Sequence, residues 1–190
     1  MTIRVTGGTL RGRKLRSPRD DRTRPTAARV RESVFSMLGQ RMDGLRALDL
    51  FAGAGTLGIE AASRGADSVV FVESDRSQAR LLGQNLELLD GLTDTKLLTM
   101  GASPAIDLLQ REGRRFDLVF LDPPYGAGLA AELVAKLARG GDAILADSAT
   151  LVAETSVTEF LPEKLGDGWA ASRRREYGQT AITLFCREAR

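Results

Sequence analysis

Two short stretches carry residue types at spacings that could do chemistry. The first is Leu121-Asp122-Pro123-Pro124-Tyr125-Gly126, directly after the apolar run Phe116-Asp117-Leu118-Val119-Phe120. The run reads as a buried strand. Two prolines stop it, because neither has an N–H to give a ladder and both fix φ. The product is a stiff turn at the carboxyl end of a strand, the edge where ligands bind in open α/β sheets. The Asp122 carboxylate and the Pro123 carbonyl can accept hydrogen bonds from an amino group, and the Tyr125 ring can stack on a flat heterocycle. That combination suits chemistry on the exocyclic amine of a nucleobase. Taken in isolation, the turn reads more readily as a proline-rich loop that merely ends a strand.

The second stretch is Asp49-Leu50-Phe51-Ala52-Gly53-Ala54-Gly55-Thr56-Leu57-Gly58, a G-x-G-x-x-G pattern between a predicted strand and a predicted helix. Small residues let a ligand approach the backbone, and a helix N-terminus offers N–H groups without intrahelical partners. Glu73, at the end of the next predicted strand, is placed to hold the two hydroxyls of a ribose. A nicotinamide dinucleotide would put its pyrophosphate on this helix N-terminus, where Asp49 is unhelpful. S-adenosylmethionine carries no phosphate and is cationic near its amino-acid end, so Asp49 favours it. The candidate cofactor residues are therefore Asp49, Phe51, Gly53, Gly55 and Thr56 on the turn, with Glu73 and Ser74 after the second strand.

Composition narrows the alternatives. The 190 residues fit one domain with a small appendage, and the 43% hydrophobic content is that of an ordinary soluble protein. A single cysteine, Cys186, excludes an intramolecular disulfide and a cysteine-cluster metal site. The absence of histidine excludes His-based acid–base catalysis and His-ligated zinc, and no metal is expected. No signal peptide or membrane-spanning run is present, so a cytoplasmic location is expected. The net charge of +2 is unevenly spread: residues 1–46 carry twelve Lys and Arg against four Asp and Glu, whereas the rest carries fifteen against twenty-one. A basic, arginine-rich arm on an acidic body suits a polyanion.

The elements that must position these groups follow in order. Residues 3–6 and 10–15 predict two short strands turned around Gly7-Gly8, and 17–25 a charged connector. Thr26 is the expected N-cap of an amphipathic helix from Ala27 to about Met42, with Arg29 and Arg31 off its apolar face. From Leu45 the pattern becomes regular β–α alternation. Strands are expected at 47–51, 68–73, 95–100, 117–122 and 151–155, with helices at 57–64, 77–89, 104–110 and 129–138. A terminal antiparallel pair, 169–177 and 179–187, turns at Gly178. Such units feed a mainly parallel sheet with right-handed crossovers. The expected division is a basic extension over 1–44 and a main domain over 45–190.

Asp122-Pro123-Pro124-Tyr125 resembles the D/N-P-P-Y/F motif of amino-group methyltransferases that act on nucleobases and on glutamine. Arg4-Val5-Thr6-Gly7-Gly8, Gly12-Arg13-Lys14-Leu15, Arg24-Pro25-Thr26, Val30 to Phe35 and Tyr177-Gly178-Gln179-Thr180 extend the likeness nearly end to end. Together they resemble the RsmD family of bacterial 16S rRNA guanine-N2 methyltransferases. The resemblance implies a Rossmann-like class I methyltransferase fold, a seven-stranded sheet in order 3-2-1-4-5-7-6 with an antiparallel C-terminal hairpin. It implies S-adenosylmethionine as cofactor, Asp122, Pro123 and Tyr125 as catalytic residues, and 16S rRNA as partner, within the 30S subunit or an assembly intermediate. Arg4, Arg11, Arg13, Lys14 and Arg24 become the RNA-binding set, and a monomer is expected. Where many methyltransferases have Asp or Asn after strand three, this chain has Gly101-Ala102-Ser103, which leaves the Ala102 N–H for the adenine ring. Thr26 and Arg31 would close over the methionine end of the cofactor. Rival readings are a DNA-adenine or protein-glutamine methyltransferase, a non-enzymatic RNA-binding module and an NAD oxidoreductase.

Overall fold

The computed structural model describes residues 3–17, 28–126, 128–139 and 144–188. A two-stranded antiparallel hairpin, β1 (Ile3–Arg4) and β2 (Lys14–Leu15), comes first. Helix α1 (Ala28–Leu38) follows, and then the main alternation: β3 (Arg46–Asp49), α2 (Thr56–Ser63), β4 (Ser68–Val72), α3 (Arg76–Leu86), β5 (Asp94–Leu98), α4 (Ala102–Arg111), β6 (Phe116–Leu121) and α5 (Leu129–Arg139). Three strands close the chain, β7 (Leu145–Ser156), β8 (Trp169–Tyr177) and β9 (Thr180–Arg187). The main sheet has seven strands in the order β5-β4-β3-β6-β7-β9-β8. Renumbered without the N-terminal hairpin, that is the expected order 3-2-1-4-5-7-6.

The chain divides into two compact units, Met1–Gly101 and Ala102–Arg190. In the first, β3, β4 and β5 run parallel, with Leu48 opposite Val70 and Phe71 opposite Leu97. Val69, Val70, Phe71 and Val72 are all buried, the near-continuous apolar run of a strand covered on both faces. Burying each such side chain stabilises the fold by about 1.5–3 kcal/mol before entropy is counted. In the second unit β6 and β7 are parallel, while β9 pairs antiparallel with both β7 and β8. β7 is longer than the expected 151–155. It begins at Leu145, and the register slips between Phe116↔Leu145 and Leu118↔Thr150. The exposed Asp147 and Ser148 hide the early part of this strand from a hydrophobicity pattern; Asp147 is held instead by Arg187 at 2.7 Å.

Three expectations about the N-terminal region need correction. Helix α1 ends at Leu38 rather than near Met42, because Gly39 follows it with φ 98, the left-handed stop that glycine favours. Arg31 does not lie off the apolar face of this helix. It is 2% exposed and shares the buried face with Val30, Val34 and Phe35. The hairpin is also wider than a turn at Gly7-Gly8, since residues 5–13 form the connection, tied by Val5 N–H to the Arg13 carbonyl and Gly12 N–H to the Val5 carbonyl.

Candidate functional site

The glycine-rich turn links β3 to α2. Gly55 precedes the helix at φ 84, a conformation open to glycine and strained for other residues, and it has no side chain of its own to cap the helix. A Cβ on Gly55 would sit 2.5 Å from Leu82 Cδ1, and one on Gly58 would sit 2.2 Å from Phe71 Cε1. These glycines thus allow α2 to lie hard against α3 and β4. Among the described residues a Cβ on Gly53, by contrast, would meet only Gln78 Oε1, at 3.7 Å.

Two carboxylates fix the turn from either side. Asp49, 2% exposed, accepts a hydrogen bond from Gly58 N–H at 3.0 Å. Burial pushes its carboxyl up to about 7; the Gly58 and Phe51 N–H groups pull the other way, and nearby Glu73 adds to the rise. Glu73 bridges two loops, with Oε2 accepting from Gly53 N–H at 2.9 Å and Oε1 from Asp75 N–H at 2.7 Å. Asp75 in turn caps α3, accepting from the N–H groups of Ser77 and Gln78, both at 2.8 Å. Phe51 and Thr56 are half-buried and Ser74 is exposed. A carboxylate has about four lone-pair sites, so Glu73 keeps acceptor capacity for a diol after its two backbone bonds. A glycine backbone flanked by acceptors, with no cationic side chain in the turn, fits a cationic nucleoside better than a pyrophosphate.

The basic hairpin is anchored to this same unit by groups that the sequence reading did not single out. Glu60, 0% exposed within the apolar helix α2, accepts from Thr6 N–H at 2.6 Å and is paired with Arg31 and Arg64. Arg31 also donates to the Arg4 carbonyl at 2.8 Å. Burial lowers the Arg31 guanidinium's pKa, and Glu60 opposes the shift. The family resemblance puts Arg31 at the cofactor; among the described residues its side chain meets Glu60 and the Arg4 carbonyl beneath the hairpin. Buried Asn85 joins the arm to the glycine turn. It exchanges hydrogen bonds with the Arg16 backbone at 2.8 and 3.0 Å and donates to the Ala54 carbonyl at 2.8 Å. A lone Glu in the apolar run Leu57–Ala62 and a lone Asn on a helix were the only sequence signals for these anchors. Arg4, Arg11, Arg13 and Lys14 are all exposed, and Arg4 also reaches the Gly12 carbonyl at 2.8 Å. Thr26 and Arg24 lie outside the described residues.

In the second unit the proline turn leaves β6 as expected. Pro123 is buried, Asp122 is half-buried, and Tyr125 is 42% exposed. The Tyr125 hydroxyl donates to Glu154 Oε1 at 3.1 Å and lies 2.9 Å from Thr180 Oγ1. Its pKa is pushed up to about 12, mainly by burial, with the Thr180 hydrogen bond opposing and Glu154 and Asp122 adding to the rise. Ala102, the first residue of α4, is buried, and its N–H belongs to the first helical turn, where intrahelical partners are lacking.

The topology, the glycine-rich turn after the first main strand and the Asp-Pro-Pro-Tyr turn after the fourth define a class I, Rossmann-like methyltransferase. The solved structure of Escherichia coli yhhF, described as a methyltransferase, superposes with a TM-score of 0.83 at 36% identity over the full length of both chains. The structure of a hypothetical protein from Thermus thermophilus gives 0.77 at 30% identity and covers 98% of this chain and 99% of that one. A family model described as conserved hypothetical protein 95 matches residues 3–186. The ribosomal RNA small subunit methyltransferase D of Escherichia coli K12 is 37% identical over 187 residues, covering 98% of this chain and 91% of the relative. Its Haemophilus influenzae namesake is 32% identical over 185 residues, covering 96% and 93%. The chain belongs to this RsmD family of methyltransferases.

Proposed function

We propose that the protein transfers a methyl group from S-adenosylmethionine to the exocyclic N2 of one guanine in 16S rRNA. The observation that carries this reading is the half-exposed Asp122–Tyr125 turn at the carboxyl end of β6, in a chain similar over its length to small-subunit rRNA methyltransferases. Bound S-adenosylmethionine supplies an electrophilic methyl group on a sulfonium centre.

The residues divide the remaining work. Glu73, already fixed by Gly53 and Asp75, holds the ribose hydroxyls. Asp49 sets a negative field beneath the turn, favouring a cation above it. Phe51 and Ser74 line the same turn, and the Ala102 N–H meets the adenine ring. A guanine N2 lone pair is delocalised into the ring and is a poor nucleophile. Hydrogen bonds from the amine to the Asp122 carboxylate and the Pro123 carbonyl hold the nitrogen on the line of transfer and stabilise positive charge growing on it. The proton lost afterwards passes to Asp122 or to water. Tyr125 stacks on the base once it has left its helix, a contact worth about 1–3 kcal/mol.

Arg4, Arg11, Arg13 and Lys14 form the phosphate-contacting face of an N-terminal RNA-binding extension over 1–44, with 45–190 as the methyltransferase body. The acceptor is a 30S subunit or an assembly intermediate, met in the cytoplasm by a monomeric enzyme. Among the described residues no helix is long and apolar enough to cross a membrane. The test is an acceptor panel of 30S particles lacking the modification, naked 16S rRNA, DNA and a release factor, each with labelled cofactor. Label on the 30S particle supports the reading; label confined to DNA or to protein glutamine would replace it.

A further inference from the structure

The Asp122–Tyr125 turn is stiff up to its prolines, but the prolines do not set the tilt of the Tyr125 ring. An exposed tyrosine samples several staggered χ1 wells, and Gly126 follows at φ 86. A ring that is 42% exposed could satisfy its hydroxyl with water. Its hydroxyl instead engages two groups on two different strands. It donates to Glu154 Oε1 at 3.1 Å, on β7, and lies 2.9 Å from Thr180 Oγ1, the first residue of β9.

Both partners are themselves fixed by the sheet. Glu154 is 6% exposed and sits opposite Ile182 in the β7–β9 ladder. A carboxylate in such a strand is costly unless it is hydrogen-bonded. Thr180 pairs with Ser156 on one side and Tyr177 on the other. The turn before it is tied down by Val157 N–H to the Gln179 carbonyl at 3.1 Å. The Tyr177-Gly178-Gln179-Thr180 motif thereby gains a role: it delivers the Thr180 hydroxyl to Tyr125. A phenol has one donor and acceptor lone pairs. With Glu154 as acceptor and the Thr180 hydroxyl as donor, both functions are met, and the ring is held at its tip as well as at its Cα.

We infer that Glu154 and Thr180 are positioning residues that clamp the Tyr125 phenol and so set the plane on which the acceptor base stacks. The clamp rests on the proposed role of Tyr125 in receiving the base. Because the phenol titrates far above neutrality, at about 12, it goes on donating throughout the working pH range. The clamp acts on the base and not on the cofactor, so it affects the transfer rate and leaves cofactor affinity alone.

The experiment compares Tyr125→Phe, Thr180→Val, the double variant and Thr180→Ser on 30S particles lacking the modification. Single-turnover transfer rates and cofactor affinity by calorimetry are measured for each. Thr180→Val should slow transfer about three- to tenfold, the size of one lost hydrogen bond, and Tyr125→Phe, which loses both, should slow it at least as much. Cofactor affinity should stay within about twofold, and the double variant should be no slower than Tyr125→Phe, because the two changes break one clamp. Thr180→Ser, which keeps the hydroxyl, should restore the rate. Wild-type rates in Tyr125→Phe, or a double variant whose loss is the product of the single losses, would overturn the clamp. Tyr125→Ala separates the two levels. If it is inactive while Tyr125→Phe is normal, the clamp alone fails; if it turns over normally, Tyr125 does not receive the base and the proposed site fails with it.

Discussion

The glycine turn after β3 and the proline turn after β6 do similar jobs by opposite means. Each is a sharp reversal at the carboxyl end of a parallel strand. At Gly53–Gly58 the backbone is free to bend, and rigidity is imposed from outside: Asp49 holds Gly58, Glu73 holds Gly53, and Phe71 and Leu82 fill the space that Cβ atoms would need. At Asp122–Tyr125 the prolines make the backbone rigid from within, and the Tyr125 side chain is tethered at its hydroxyl. A cofactor bound largely through backbone and ribose contacts suits the first arrangement. An acceptor that must be extracted from a folded RNA and then released suits the second.

The contrast is broken hardest at Asp122. Asp122→Ala should lower the transfer rate by about 10²–10³-fold, the scale for loss of one preorganised electrostatic group. Cofactor binding measured by calorimetry should be unchanged. In the glycine turn the expected damage has the reverse character. Gly58→Ala should cost about 1–3 kcal/mol of folding stability by overpacking against Phe71 and should weaken the cofactor as well; urea melts and calorimetry report both.

A smaller effect comes from pH. Asp49 titrates at about 7, above its ordinary value of 3.8, so between these values the folded chain keeps a proton that the unfolded chain has lost. The unliganded protein therefore loses stability as pH rises through that window. A cationic ligand favours the ionised form, so its affinity should climb about tenfold from pH 6 to pH 8, with uptake of the ligand releasing a proton. Asp49→Asn should flatten the profile. Smallest of all, Arg13→Ala should reduce the slope of log affinity for 30S particles against log salt by about one and leave the transfer step untouched.

The two turns were legible in the sequence because each rests on residues whose backbone constraints are local: glycine at φ 84 in one, paired prolines in the other. The β–α alternation and the terminal hairpin announced a mainly parallel sheet with an antiparallel edge; its strand order came only with the family resemblance. The anchoring of the arm was not. Arg31 reads as a surface helix charge until Glu60 is known to lie beneath it, and nothing local announces that Asn85 will meet both Arg16 and Ala54. The start of β7 is hidden for a related reason, since Asp147 finds its partner in Arg187, forty residues away. These contacts also change an expectation about truncation. The charge pattern alone suggests that removing residues 1–24 leaves a folded body, but the cut would take Thr6 from buried Glu60 and Arg16 from buried Asn85. A destabilised product is the expected result.

The most direct test of the account is mass-spectrometric mapping of methylated nucleosides in 16S rRNA from 30S particles treated with the wild-type enzyme and with Asp122→Ala. N2-methylguanosine is expected at a single position with the wild type and, over the same reaction time, at about a hundredth of that level or less with the variant. Methylation at another group or on other bases, or undiminished N2-methylguanosine from Asp122→Ala, would contradict the account.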